Sequence, residues 1–183
     1  MTALRTVVIT NTSPLLTLAR AGALDTLLLL GLPIEIPDAV YFEATRVAGA
    51  PGAMSIVEWM ETNSAARIAV TETGIDQFRR IEEGRPIRGL GEAAALELLG
   101  KLLDRDPAAG VLLIFEDTDV EKRRAFMEER AELISTGDLH FELEAAGRIQ
   151  SADAILDAAA ASGRNVDRQR RSRAADHRSI RDR

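Results

Sequence analysis

The sequence reads as an α/β protein built around a central, mostly parallel sheet of about five strands with helices on both faces. Three observations carry that expectation. Short runs rich in Val, Ile and Leu recur at residues 5–9, 34–36, 67–70, 111–115 and 132–134, each bounded by breakers. Stretches with helical spacing of apolar residues separate them. Polar clusters follow the first and fourth runs directly, where open α/β sheets place their ligands.

The helices follow from local signals. Pro14 opens a helix that reaches Ala21 before Gly22, and a second runs from Asp25 to Leu30 ahead of Gly31. Asp38, after Pro37, caps a helix through Arg46. Residues 55–64 and 74–83 read as further helices, and 92–103 is marked by Leu96, Leu99 and Leu103 on one face. A helix over 119–130 follows the fourth strand. Leu139, Leu143 and Ala146 form a stripe closed by Gly147, and Ser151 caps a last helix to about Ala161.

At 183 residues the chain suits one domain, expected over 1–163, with a tail at 164–183 that has no apolar periodicity and is expected to lack structure on its own. Apolar residues make up 46% of the chain and aromatics only 4%, so the core is aliphatic. There is no Cys, which excludes disulfides, thiolate zinc sites and a thiol nucleophile. Two His, His140 and His177, are too few for a His-rich metal site, so a metal here needs oxygen ligands, as Mg²⁺ or Mn²⁺ prefer. No apolar stretch approaches the roughly 20 residues of a membrane span. With no signal-peptide pattern either, a cytoplasmic protein is expected. The net charge of −6 hides an asymmetry: the last twenty residues hold eight Arg against three Asp, a block of +5 on a body of −11.

The candidate chemistry lies at strand ends. Asn11-Thr12-Ser13 follows the first strand and Glu116-Asp117-Thr118-Asp119 follows the fourth. Glu92 opens a helix after Gly91, near a positive helix end, and Glu43 lies on a helix among apolar neighbours. Two carboxylates about 5 Å apart repel by roughly 3 kcal/mol at an effective dielectric near 20, so such a cluster needs protons or a divalent cation. Ordinary readings stand beside these. Asn11 can form a local turn and Ser13 cap the helix, Glu92 can be a first-turn acid, and residues 116–119 a solvated loop. Arg123 and Arg124 can pair with Glu121 or Glu128 or meet phosphates, and His140 is expected to be a surface or packing residue rather than a catalyst. Gly89-Leu90-Gly91 follows no strand and lacks a third glycine, so it is no dinucleotide fingerprint. Ser13 lacks a nucleophile elbow, which argues against a serine hydrolase.

Taken in order, Asn11–Leu16, Ile36–Glu43, Leu90–Ala95 and Leu112–Ala125 resemble the successive motifs of PIN-domain proteins, in the branch whose first motif reads Asn-Thr-Ser-Pro-Leu. Ile134-Ser135-Thr136-Gly137-Asp138-Leu139 resembles the family's turn before a late helix. The resemblance spans about residues 5–160 and implies a three-layer α/β/α PIN-like fold. It further implies an Mg²⁺- or Mn²⁺-dependent ribonuclease, many relatives being VapC-type toxins held by a small antitoxin, with RNA as substrate and a homodimer as the expected assembly. By position, Asn11, Glu43, Glu92 and Asp117 take the four metal-site places, with Glu43, Glu92 and Asp117 as catalytic carboxylates. Glu116 and Asp119 compete for the fourth place. Thr12, Ser13, Arg124 and Thr136 are the substrate-side candidates. Asn11 departs from the acid found there in many family members: its amide oxygen can ligate a metal, but it brings no charge and cannot serve as a base.

Overall fold

The computed structural model of the chain describes residues 6–63, 67–74, 89–106, 108–116 and 131–164. Strands β1 (Val7–Thr10), β2 (Ile34–Pro37), β3 (Ile68–Thr71), β4 (Val111–Phe115) and β5 (Ala131–Ser135) pair in parallel in the order β3-β2-β1-β4-β5. Around them lie helices α1 (Thr12–Arg20), α2 (Asp38–Thr45), α3 (Ala53–Thr62), α4 (Leu90–Arg105), α5 (Thr136–Ala145) and α6 (Ala152–Ala161). The expected helices at 74–83 and 119–130 fall mostly or wholly outside the described residues. Among the described residues no single helix is long and apolar enough to cross a membrane.

Alternation along the strands sorts the core into two layers. Val8, Leu112, Ile114 and Ile134 face α1, α3 and α5, packing with Leu15, Leu18, Ile56 and Leu139. Val7, Ile9, Val111, Leu113, Phe115 and Leu133 face α4, packing with Leu98, Leu99 and Leu102. Burial on both faces explains why β1 and β4 read as unbroken apolar runs rather than alternating ones.

Two expectations need correction. Residues Leu24–Leu30 form a 3₁₀ segment rather than an α-helix, ended by Gly31 at φ 67°. Leu24, Thr26 and Leu27 of that segment are buried, and Leu28, Leu29 and Leu30 pack partly buried against the same core. The first helix begins at Thr12, and its cap is Asn11, not Ser13: the Asn11 Oδ1 accepts the Thr12 N–H at 2.7 Å.

Candidate active site

The chain builds β1, β2 and β3 outward in one direction, then crosses to the other side of β1 for β4 and β5. The strand order therefore reverses between β1 and β4, and a crevice opens beyond their carboxyl ends at such a point. Asn11 leaves β1 there, its N–H donating to the Ile114 carbonyl at 3.2 Å. Glu116 leaves β4 at the same edge, and Thr136 leaves β5.

Three elements meet on the α4 side of this crevice. Thr12, in the first turn of α1, donates its hydroxyl to Glu43 Oε2 of α2 at 2.7 Å. The first turn of α4 closes over this pair at Gly91. A Cβ at Gly91 would lie 2.5 Å from Thr12 Oγ1, 3.0 Å from Glu43 Oε2 and 3.1 Å from Asn11 Oδ1. Only a residue without a side chain fits, and Gly91 was absent from the sequence-derived site. Its signal was the glycine itself, which sat one residue inside a helix where a cap explains nothing. Glu92, next along α4, is half-buried beside this cluster. Glu43 is exposed, and Asn11 is half-buried.

Glu116 goes elsewhere. It is in phase with Leu112 and Ile114, which face α1, whereas Asn11 is in phase with Val7 and Ile9, which face α4. Accordingly Glu116 Oε2 accepts from Thr17 Oγ1 of α1 and from Arg164 Nη2, both at 3.0 Å. Arg164 also donates through Nε to Thr17 Oγ1 at 2.8 Å and through Nη2 to the Ser13 carbonyl at 3.1 Å. Glu116 is thus a strut between β4, α1 and the end of α6. Its other oxygen, Oε1, is buried with no hydrogen bond from a described residue, as is Thr136 Oγ1 on the adjoining strand end.

The remaining candidates divide simply. Ser13 lies at the crevice with its carbonyl held by Arg164. Thr136 is fully buried. Asp117, Asp119 and Arg124 lie outside the described residues. Asp38, another acid at the same edge, accepts both the Thr73 hydroxyl at 2.6 Å and the Thr73 N–H at 3.2 Å, which ties it to the segment after β3.

Of the two settings its sequence allowed, surface or packing, His140 takes the second. It is fully buried, with Nδ1 2.6 Å from the Thr136 carbonyl and Nε2 3.0 Å from Thr26 Oγ1. A carbonyl only accepts, so Nδ1 donates to Thr136, while the Thr26 hydroxyl beside Nε2 donates to the Ala23 carbonyl at 2.7 Å. Burial pushes its pKa below 6.5, outweighing the upward pull of the Thr136 carbonyl and the Glu116 charge. Below the ordinary imidazole value the unfolded chain therefore binds more protons than the folded one. Stability contributed by His140 is present at neutral pH and is lost as pH falls from about 6.5 toward the folded pKa, by no more than about 1.4 kcal/mol per pH unit. Urea unfolding of wild type and His140→Gln at pH 7.5 and 5.5 is expected to show a smaller acid loss in the variant.

The donor chemistry at Gly91 suits a hard divalent cation, since Asn11 and Glu43 offer oxygen alone. The described residues do not complete a cage: no three His, Asp or Glu side chains among them gather to hold a metal ion.

No curated protein and no solved structure matches the chain. A family model described as a PIN domain matches residues 7–177, nearly the whole sequence. Its extent agrees with the all-parallel five-stranded sheet and with a polar crevice at the β1–β4 reversal, and on this ground the chain belongs to the PIN-domain family, a nuclease fold.

Proposed function

We propose that the chain is a divalent-metal-dependent endoribonuclease that hydrolyses RNA phosphodiester bonds. We further read it as the toxin of a toxin–antitoxin pair, on the strength of its Asn-Thr-Ser-Pro-Leu motif. The observation that carries the nuclease reading is the convergence at Gly91, where oxygens of Asn11, Thr12 and Glu43 lie within 3.1 Å of one point. Asn11, Glu43 and Glu92 would hold the metal together with Asp117 or Asp119. Glu116 drops out of that competition because Thr17 and Arg164 occupy its Oε2 on the opposite face.

A cation bound there supplies a more acidic water and countercharge for the phosphate. The chain's own residues do the rest. Thr12 fixes one oxygen of Glu43, which leaves an exposed carboxylate able to accept a proton from the attacking water. The first turn of α4 brings its positive end to the same spot and favours negative charge.

Cleavage of structured RNA by the purified protein with Mn²⁺ or Mg²⁺, and its loss on chelation, tests the reading directly. Cutting that persists in chelator would overturn the metal requirement.

A second reading, a binding module without chemistry, is favoured by Asn11, whose neutral Oδ1 is engaged as the α1 cap. Asn11→Asp separates the two. Asp caps as well as Asn and adds a charge beside Glu43. If the metal sits at this corner, the variant is expected to bind Mn²⁺ about tenfold more tightly. That adds about 1.4 kcal/mol of metal-induced stability, or roughly 3–5 °C in Tm. Equal Mn²⁺ shifts in wild type and variant would place the metal away from Asn11.

A further inference from the structure

Helix α2 turns three flanks to different surroundings. Val40 and Ala44 point into the core layer that holds α1 and α3. Glu43 reaches Thr12 at the crevice. Phe42, one residue earlier and about 100° round the helix from Glu43, lies roughly opposite Val40 and Ala44. It is half-buried and belongs to neither core layer. Arg46 stands one turn further on, its N–H donating to the Phe42 carbonyl at 2.8 Å, so the two side chains share a flank. Arg46 is exposed and forms no ion pair or side-chain hydrogen bond with a described residue. Other cations are engaged: Arg20 by the Pro51 carbonyl, Lys101 by Glu97 and Arg164 by Glu116.

Aromatic rings are scarce in this chain, which holds five Phe, one Tyr and one Trp. One ring left outside the core, next to the exposed carboxylate of the crevice, gives that rim a flat apolar surface. Bases of single-stranded RNA stack on such rings with little regard to sequence, because every base has a π-face. The phosphate of a stacked base then needs a cation, since the first 163 residues carry −11 and repel a polyanion. At physiological salt, charges more than about 8 Å apart are largely screened, so that cation has to stand close by. Arg46 does so, about 6 Å along the helix axis from Phe42, and its guanidinium suits phosphate.

We propose that Phe42 and Arg46 form a nucleotide subsite on the rim of the crevice. An unpaired RNA base stacks on the Phe42 ring and its phosphate pairs with Arg46, which presents the neighbouring phosphate to Glu43. The proposal rests on the reading of the chain as a protein that acts on RNA, and names how that site holds a nucleotide beside the cleavage point. Its test is binding, measured without cleavage: fluorescence anisotropy of the full-length protein with a labelled single-stranded RNA in EDTA. A labelled ribose-phosphate backbone of the same length, lacking bases, is run beside it. Phe42→Leu keeps the apolar bulk and loses the flat ring, and is expected to bind the RNA about tenfold more weakly. It should bind the base-free backbone as wild type does. Phe42→Trp should restore RNA affinity to within about twofold of wild type. Arg46→Gln should make the log–log salt slope shallower by about 0.7 for both probes. Circular dichroism and Tm establish that the variants are folded.

Equal RNA affinity of wild type and Phe42→Leu would overturn the proposal. Equal weakening toward RNA and base-free backbone would overturn it as well, since the ring would then act by holding α2 in place. An unchanged salt slope in Arg46→Gln would overturn the phosphate contact. Absence of RNA binding by wild type at low salt would likewise end it. The nuclease reading fails separately, by absent metal-dependent cleavage in a protein whose Phe42-dependent RNA binding is intact.

Discussion

Gly91→Ala is expected to lower metal-dependent RNA cleavage by about 100-fold, the scale of loss that a misplacement of about 1 Å produces in an active site. The added methyl would stand 2.5 Å from the Thr12 hydroxyl, well inside any real contact. Thr12 is short and β-branched, so its hydroxyl cannot swing clear without breaking its 2.7 Å bond to Glu43. Otherwise α4 must lift away, carrying Glu92 with it. Either way the positions of Asn11, Glu43 and Glu92 change relative to one another. Alanine favours helix over glycine by up to about 1 kcal/mol, which offsets part of the strain, so the variant should still fold. Single-turnover cleavage rates beside Tm values check this. A folded Gly91→Ala protein with wild-type rates would show that the closure of α4 on this corner is irrelevant to activity.

Glu43→Gln is the second large effect, with an expected loss of 10²–10⁴-fold in turnover, the range for removing a general base. Glutamine preserves the shape and still accepts the Thr12 hydroxyl through its amide oxygen, so the lock between α1 and α2 survives. What disappears is the charge and the ability to take a proton. Because Glu43 is exposed, stability should change by less than about 0.5 kcal/mol. The same substitution at Glu92 should be comparably damaging. Metal-dependent cutting unchanged in both variants would remove this corner from the mechanism.

The sheet was legible because its central strands β1 and β4 are buried on both faces, which writes them as compact runs of Val, Ile and Leu. The four consecutive leucines at 27–30 carried no such clarity. A run without period does not separate α from 3₁₀, since all four leucines reach the core in either form. At the candidate site, Asn11 and Glu92 drew attention because a strand end and a helix start announce themselves locally, and Glu43 because it is a carboxylate among apolar neighbours on a helix. Gly91 was missed because its requirement comes from side chains in two distant segments that only the folded sheet brings together. The ambiguity between Glu116 and its neighbours, in contrast, had a usable signal. Counting alternate residues from Leu112 and Ile114 already sends Glu116 toward α1, away from the face shared by Val7, Ile9 and Asn11.

The two glycines at the front of α4 bear on how the crevice accommodates what enters it. On one flank, α1 is secured by the Asn11 cap and by Arg164 through Ser13 and Thr17. On the other, α4 starts with Gly89 at φ 76° and Gly91 two residues later, where the backbone gives up more entropy to stay helical than anywhere else in that turn. One flank is held by side-chain hydrogen bonds, and the other is seated by the close approach of a backbone without side chains. A larger residue at either glycine therefore changes the width of the cleft between α1 and α4 directly, with no intervening side chain to absorb it.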